Sequence, residues 1–353
     1  MSLFTPDQAG TIRSGEEIDL QVLQRYIDQE ASSLGRIMDV KQFPSGFSNL
    51  TYALTTDTGE YVLRKPPAGV LGKSAHDMGR EYKVLQKLYP IFSKVPQPIS
   101  LCDDVSVLGV PFYLMTRLTG VILRAHHAKQ NLSPTLLQHL SEALVDHLVL
   151  IHQLNIHETG LIELGKPEGY VHRQVEGWTQ RYAQSETEKI KAMTDVSEWI
   201  KHHQPVSSHV TFLHNDFKYD NVVVDVNEPT RIVGILDWEM ATVGDPLMDV
   251  GATLAYWCES TDDPLARMFN LSWLPGNLSR QQFIERYAAQ TGFNMASLPF
   301  YYVFGLFKNA VVAQQIYARW KKGYSQDPRF GQLIEVVKSL AARAQKAIET
   351  QHI

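Results

Sequence analysis

The chain has 353 residues, 44% of them hydrophobic and 20% charged. That composition buries a sizeable core, excludes wholesale disorder and, at about 150 residues per domain, predicts about two domains or lobes. The 33 Lys and Arg against 38 Asp and Glu leave a net charge of −5, which argues against a protein living on nucleic-acid contacts, since those draw on a basic surplus. Cys102 and Cys258 are far apart with no CxxC, which argues against a disulfide framework or a zinc site. The start MSLFTPDQAGTIR has no apolar signal core, and no 18-residue apolar stretch occurs; a reduced cytoplasmic protein with no membrane partner is expected.

In chain order, residues 16–34 predict a helix with Ile18, Leu20, Val22, Leu23, Tyr26 and Ile27 as its apolar positions. Segments 37–43, 50–56 and 60–64 then read as short strands, with Thr58-Gly59 as a hairpin turn. Residues 74–89 predict a helix opened by a capping box of Ser74 and Asp77. Strand-like runs follow at 98–102 and 111–117. From about residue 132 the period is helical, a β-rich hairpin interrupts it at 222–237, and helix resumes from 246. Grouped strands followed by grouped helices exclude a doubly wound parallel sheet. The expectation is α+β in two lobes, a β-rich N-terminal lobe over 1–118 and a mostly helical lobe over 119–353, with the hinge at 117–120.

The densest polar cluster beside strands is LHNDFKYDN, followed by VVVDV, a turn at Asn227 to Thr230, and RIVGILDWE. Folded about that turn, Asn221 pairs with a residue at about position 236, so Asn221 and Asp237 fall at the same end of the hairpin and Asp216 on the loop entering it. Two carboxylates and an amide are hard oxygen ligands that suit a magnesium ion taking the rest of its shell from water and phosphates. Each residue singly is an ordinary turn former; His-x-Asp-x-x-x-x-Asn, a hairpin and an apolar run ending in Asp together are much rarer.

This stretch, with ILDWEMATVGDPLMDVG, resembles the aminoglycoside phosphotransferase/choline kinase family of the protein-kinase-like superfamily. It is most similar to the subgroup that also occurs fused to some acyl-CoA dehydrogenases. The resemblance covers roughly residues 35–325 and implies a bilobal kinase-like fold using ATP and Mg2+. It implies Asp216 as catalytic base, Lys218 against the transferring phosphoryl group, and Asn221 and Asp237 as metal ligands. His214 would brace the loop, Asp249 would hydrogen-bond the loop backbone, and Asp245 would order the segment before its helix; simple helix capping explains Asp245-Pro246 as well.

A separate argument concerns the N-terminal lobe. In helix 74–89 the apolar stripe is Met78, Tyr82, Leu85 and Leu88, and Glu81 falls on it, which is costly unless a cation pairs with it. Val62 and Arg64 share one face of the preceding strand, so Arg64 is the expected partner and phosphate ligand, with Lys65 as fallback on the other face or in solvent. Ser48 and Asn49 in the loop 43–50 would cradle phosphate. Met115 and Arg117 would border adenine, although plain core packing explains Met115 equally.

Two rival readings stand. PAGVLGKS at 67–74 nearly matches a P-loop using Lys73, but Pro67 replaces the glycine that the turn needs. A pseudokinase that binds nucleotide without transfer fits Arg64 and the glycine-poor loop, but not the presence of Asp216, Asn221 and Asp237. His152 reads as a core residue, and His126 and His127 carry no metal spacing. Arg173, Trp178, Arg181 and Tyr182 are candidate acceptor contacts that an amphipathic helix also explains. The acceptor expected is a small hydroxyl compound, aminoglycoside-like, choline-like or a hydroxyacyl-CoA; oligomeric state is not legible.

Overall fold

The computed structural model describes residues 4–44, 49–67, 77–130, 132–268, 270–324 and 327–353. Helix α1 (Leu20–Glu30) starts where the Asp19 carboxylate accepts from the Gln21 and Val22 amides, and a 3-10 turn at Ser32–Leu34 follows, so the helix is shorter than the expected 16–34. Strands β1 (Ile37–Gln42), β2 (Leu50–Thr56) and β3 (Glu60–Lys65) come next. Helix α2 (Met78–Leu88) is capped by Asp77, whose carboxylate accepts from the Arg80 amide; the expected Ser74 start lies outside the described residues. Strand β4 (Pro98–Cys102), the single turn α3 (Val105–Leu108), β5 (Phe112–Thr116) and β6 (Val121–Ile122) complete this region.

The sheet runs β1-β2-β3-β5-β4 with every pair antiparallel, so it offers no parallel strand order on which a P-loop is built; Lys73 lies outside the described residues. One face packs Leu54, Leu63, Phe112 and Leu114 against Leu23, Ile27 and Leu34, each burial contributing about 1.5–3 kcal/mol. Because strand side chains alternate, Val62 and Arg64 take the opposite face.

Helices α4 (Pro134–His152), α5 (Tyr170–Ser185) and α6 (Lys191–His202) precede β7 (Thr211–Leu213). The hairpin β8 (Val222–Val224) and β9 (Ile232–Ile235) has the register Val222↔Ile235 and is joined by β6, making three strands where the sequence predicts two. Strand β10 (Thr242–Gly244) pairs antiparallel with β7. The rest is helical: α7 (Pro246–Tyr256), α8 (Pro264–Arg267), α9 (Arg280–Thr291), α10 (Leu298–Lys321) and α11 (Leu333–Thr350). Helix α10 is buried on nearly all sides, as a helix that is apolar all round must be.

The chain divides into two compact units. The first comprises 1–122, 222–228 and 232–241, and the second 123–221, 229–231 and 242–353. The first unit thus breaks four residues beyond the expected 118, and it takes in both strands of the hairpin. Among the described residues no helix is long and apolar enough to cross a membrane.

Candidate functional site

In the first unit, Arg64 on β3 donates from Nη1 to Glu81 Oε1 at 2.5 Å and from Nη2 to Asp237 Oδ1 at 3.3 Å; Glu239 Oε2 is 4.0 Å away. Glu81 is only 1% exposed and also accepts from the Trp238 amide at 3.2 Å. Asn49 Nδ2 donates to Glu239 Oε2 at 2.7 Å. Burial by itself would lower the Arg64 guanidinium, but Glu81, Tyr113, Asp237 and Glu239 raise it well above its ordinary value. Burial pushes the Glu81 carboxyl up and Arg64 opposes it. One guanidinium therefore faces three carboxylates, with the buried Tyr113 hydroxyl beside the Arg64–Glu81 pair.

Asp237 itself has φ 67°. Among the described residues the other non-glycine positions with positive φ are Asn215 at 65° and Gln351 at 55°. Asp237 is itself a predicted site residue and Asn215 directly precedes another, and strained backbone tends to collect at such positions.

In the second unit the loop after β7 is held from below by α7. Asp249, fully buried, accepts from the His214 amide at 2.6 Å and the Asn215 amide at 2.9 Å. His152 bridges Asp249 Oδ2 at 3.2 Å and the Tyr287 hydroxyl at 2.6 Å. Asp245 caps α7, accepting from the Leu247 amide and the Tyr301 hydroxyl. Lys218 Nζ lies 3.1 and 2.8 Å from the two carboxylate oxygens of Asp216, with the Tyr256 ring 4.6 Å from the same ammonium. Asn221 Nδ2 donates to the carbonyl and to Oδ2 of Asp216 at 2.8 and 2.9 Å. Burial would raise the Asp216 carboxyl, yet Lys218 and Lys308 hold it below the usual range. Asp220 next to it is raised, chiefly by burial.

The predicted residues divide by where they fall. Asp216, Lys218, Asn221, His214, Asp249 and Asp245 fall in the second unit; Arg64, Glu81, Asn49, Asp237, Met115 and Arg117 fall in the first. Ser48 lies outside the described residues. Lys65 is 8% exposed with its ammonium 5.6 Å from the Tyr52 ring centroid, so it faces the core and not solvent. The Arg117 guanidinium is engaged by Glu60 at 2.9 Å and the Asp7 carbonyl at 2.6 Å, tying down the N-terminal segment. Met115 is buried opposite Val62. Arg173 donates to the carbonyls of Glu168 and Lys166 before α5. Lys308 and Tyr256 were not found by sequence reasoning; neither carries a local signal, since both sit in apolar helices far from the loop they reach.

Residues 39–284 match the model of the phosphotransferase enzyme family. The chain belongs to that family. Among its relatives, acyl-CoA dehydrogenase family member 11 of Rattus norvegicus is 33% identical over 87% of this chain and 40% of its own length. The chain thus spans about two fifths of the length of that curated relative. A Ralstonia eutropha crystal structure provisionally assigned as an aminoglycoside phosphotransferase has a TM-score of 0.74 and 26% identity, covering 94% of this chain and 99% of that one. Choline kinase from Cryptosporidium parvum has a TM-score of 0.64 at 13% identity, covering 94% and 97%. The kinase-like α+β fold of this phosphotransferase-family chain is thereby shown.

Proposed function

We propose that this phosphotransferase-family chain moves the γ-phosphoryl group of ATP to a hydroxyl of a small molecule. The observation that carries the reading is the Asp216 carboxylate on the loop after β7, with Lys218 Nζ 3.1 and 2.8 Å from its oxygens and Asn221 Nδ2 2.9 Å from one of them. Asp216 takes the hydroxyl proton as the hydroxyl oxygen bonds to the γ-phosphorus, and the bond from that phosphorus to the β-phosphate oxygen breaks to release ADP. Lys218, bonded to Asp216 before the substrates bind, turns to the transferring group. Arg64, braced by Glu81, fixes the triphosphate, with Ser48 and Asn49 in the covering loop and Met115 and the Arg117 segment at the adenine end. Positioning and electrostatics do most of the work in such a transfer.

Asn221 and Asp237 are each of a type that magnesium takes as a ligand. Among the described residues both side-chain hydrogen bonds of Asn221 use its Nδ2, which leaves Oδ1 as a hard ligand, and Asp237 keeps one carboxylate oxygen beyond its bond to Arg64. Bound magnesium would offset phosphate charge.

The test is ADP release in the presence of ATP and magnesium over aminoglycosides, choline and hydroxyacyl-CoA thioesters. One acceptor is expected to give turnover that Asp216→Asn lowers by about 10²- to 10⁴-fold. Tight binding of ATP and magnesium with no transfer to any acceptor would instead identify a nucleotide-binding module.

A further inference from the structure

Asn215 occupies the left-handed region at φ 65° immediately before Asp216. Three helices hold it there. The Asn215 amide donates to Asp249 of α7 at 2.9 Å, and its side chain meets the Tyr170 hydroxyl of α5 at 3.1 and 3.2 Å. Its carbonyl accepts from Lys308 Nζ of α10 at 2.6 Å. Lys308 is 4% exposed, and its ammonium lies 5.7 Å from the Trp178 ring centroid. A buried lysine spent on one backbone carbonyl is costly unless that carbonyl needs holding. The carbonyl belongs to the peptide that joins Asn215 to Asp216, so its direction sets the direction in which the Asp216 side chain leaves the backbone.

We propose that Lys308 is a positioning residue for phosphoryl transfer: its ammonium holds the Asn215–Asp216 peptide in the left-handed turn and thereby aims the Asp216 carboxylate. This rests on Asp216 being the proton acceptor. Lys308 bonds to the peptide and not to the carboxylate, and its charge adds to that of Lys218 on Asp216.

The experiment uses the full chain with whichever acceptor releases ADP. Lys308→Met is expected to leave the KM for ATP within about twofold and to lower kcat by about 10²-fold, the cost of roughly a 1 Å misplacement. Glycine adopts positive φ without strain, so adding Asn215→Gly to Lys308→Met is expected to recover about fivefold or more of the lost kcat. Hydrogen exchange, measured without acceptor, should quicken at the Asn215 and Asp216 amides in Lys308→Met and stay unchanged in α11. Unchanged kcat, a double variant no better than Lys308→Met, or exchange that quickens equally in α11 would each overturn the proposal. If Lys308→Met does not fold, Lys308→Gln, which still donates to the carbonyl, replaces it and is expected to lose less than tenfold, within about the contribution of one hydrogen bond. A wild-type chain that releases no ADP with any acceptor overturns the proposed function, and the exchange result still decides whether Lys308 holds the peptide.

Discussion

The Asp216 carboxylate carries Lys218 on both oxygens and Asn221 on one, with Lys308 the next cation to act on it. Removing Lys218 removes the largest of the charges that hold its pKa down. Lys218→Met is therefore expected to move the acid limb of kcat/KM to higher pH and to lower kcat by about tenfold or more, read from a pH–rate profile. Lys218→Arg, which keeps the charge, should restore the limb. In the other unit, Glu81→Leu leaves Arg64 buried without its nearest carboxylate. An unfolding titration should show a loss of about 3 kcal/mol, at the low end for a broken buried pair because Asp237 still faces the guanidinium. The Arg64–Glu81 pair was legible in the sequence because a carboxylate on an apolar stripe demands a cation. Lys308 was not, because nothing in the sequence of α10 distinguishes an inward lysine from one that reaches solvent along its stem.

At the scale of elements, α7 decides how the loop after β7 is held. Asp245 and Pro246 start it, and Asp249 on its first turn receives two loop amides. Although burial would raise it, Asp249 is held below its ordinary 3.8 by His152, His214 and the hydrogen bonds it accepts. Its folded pKa is therefore below the unfolded value of about 3.9, so its stabilisation is full above that value and lost as pH falls through the folded pKa. Asp249→Asn should lower stability at neutral pH and flatten the acid side of a stability–pH curve followed by thermal melting. Helix α7 also crosses α10 at two glycines: a Cβ on Gly251 would stand 2.3 Å from the Tyr301 carbonyl oxygen, and one on Gly305 would stand 2.5 Å from that of Gly251. Gly251→Ala is expected to cost at least about 1–3 kcal/mol, measured by denaturation, because backbone cannot step aside as a side chain can. The cap at Asp245-Pro246 was readable from sequence. The glycine contact was not, since it depends on which helix comes to lie across which.

At the scale of the molecule, nucleotide binding is expected to stabilise the chain by mass action, about 2.7 kcal/mol at a hundredfold excess over Kd. A rise in Tm with ATP and magnesium, reduced to that with ATP alone in Asp237→Ala, would bear out that carboxylate as a metal ligand; an undiminished magnesium effect would remove it. The sequence by itself determined the first five strands with the helix between them, the later hairpin, the α+β class, the Arg64–Glu81 pair and the loop from His214 to Asn221, but not the short strands β6, β7 and β10. What it determined is written in local periodicity, turn chemistry and short spacings. Only the tertiary structure decided that the hairpin of β8 and β9 joins β6 and belongs with the first unit, that Arg117 ties down the N-terminal segment, and that Lys308 and Tyr256 reach the loop of Asp216. Those facts depend on contacts between residues distant in sequence, and such contacts are fixed by packing, which no local pattern of residues encodes.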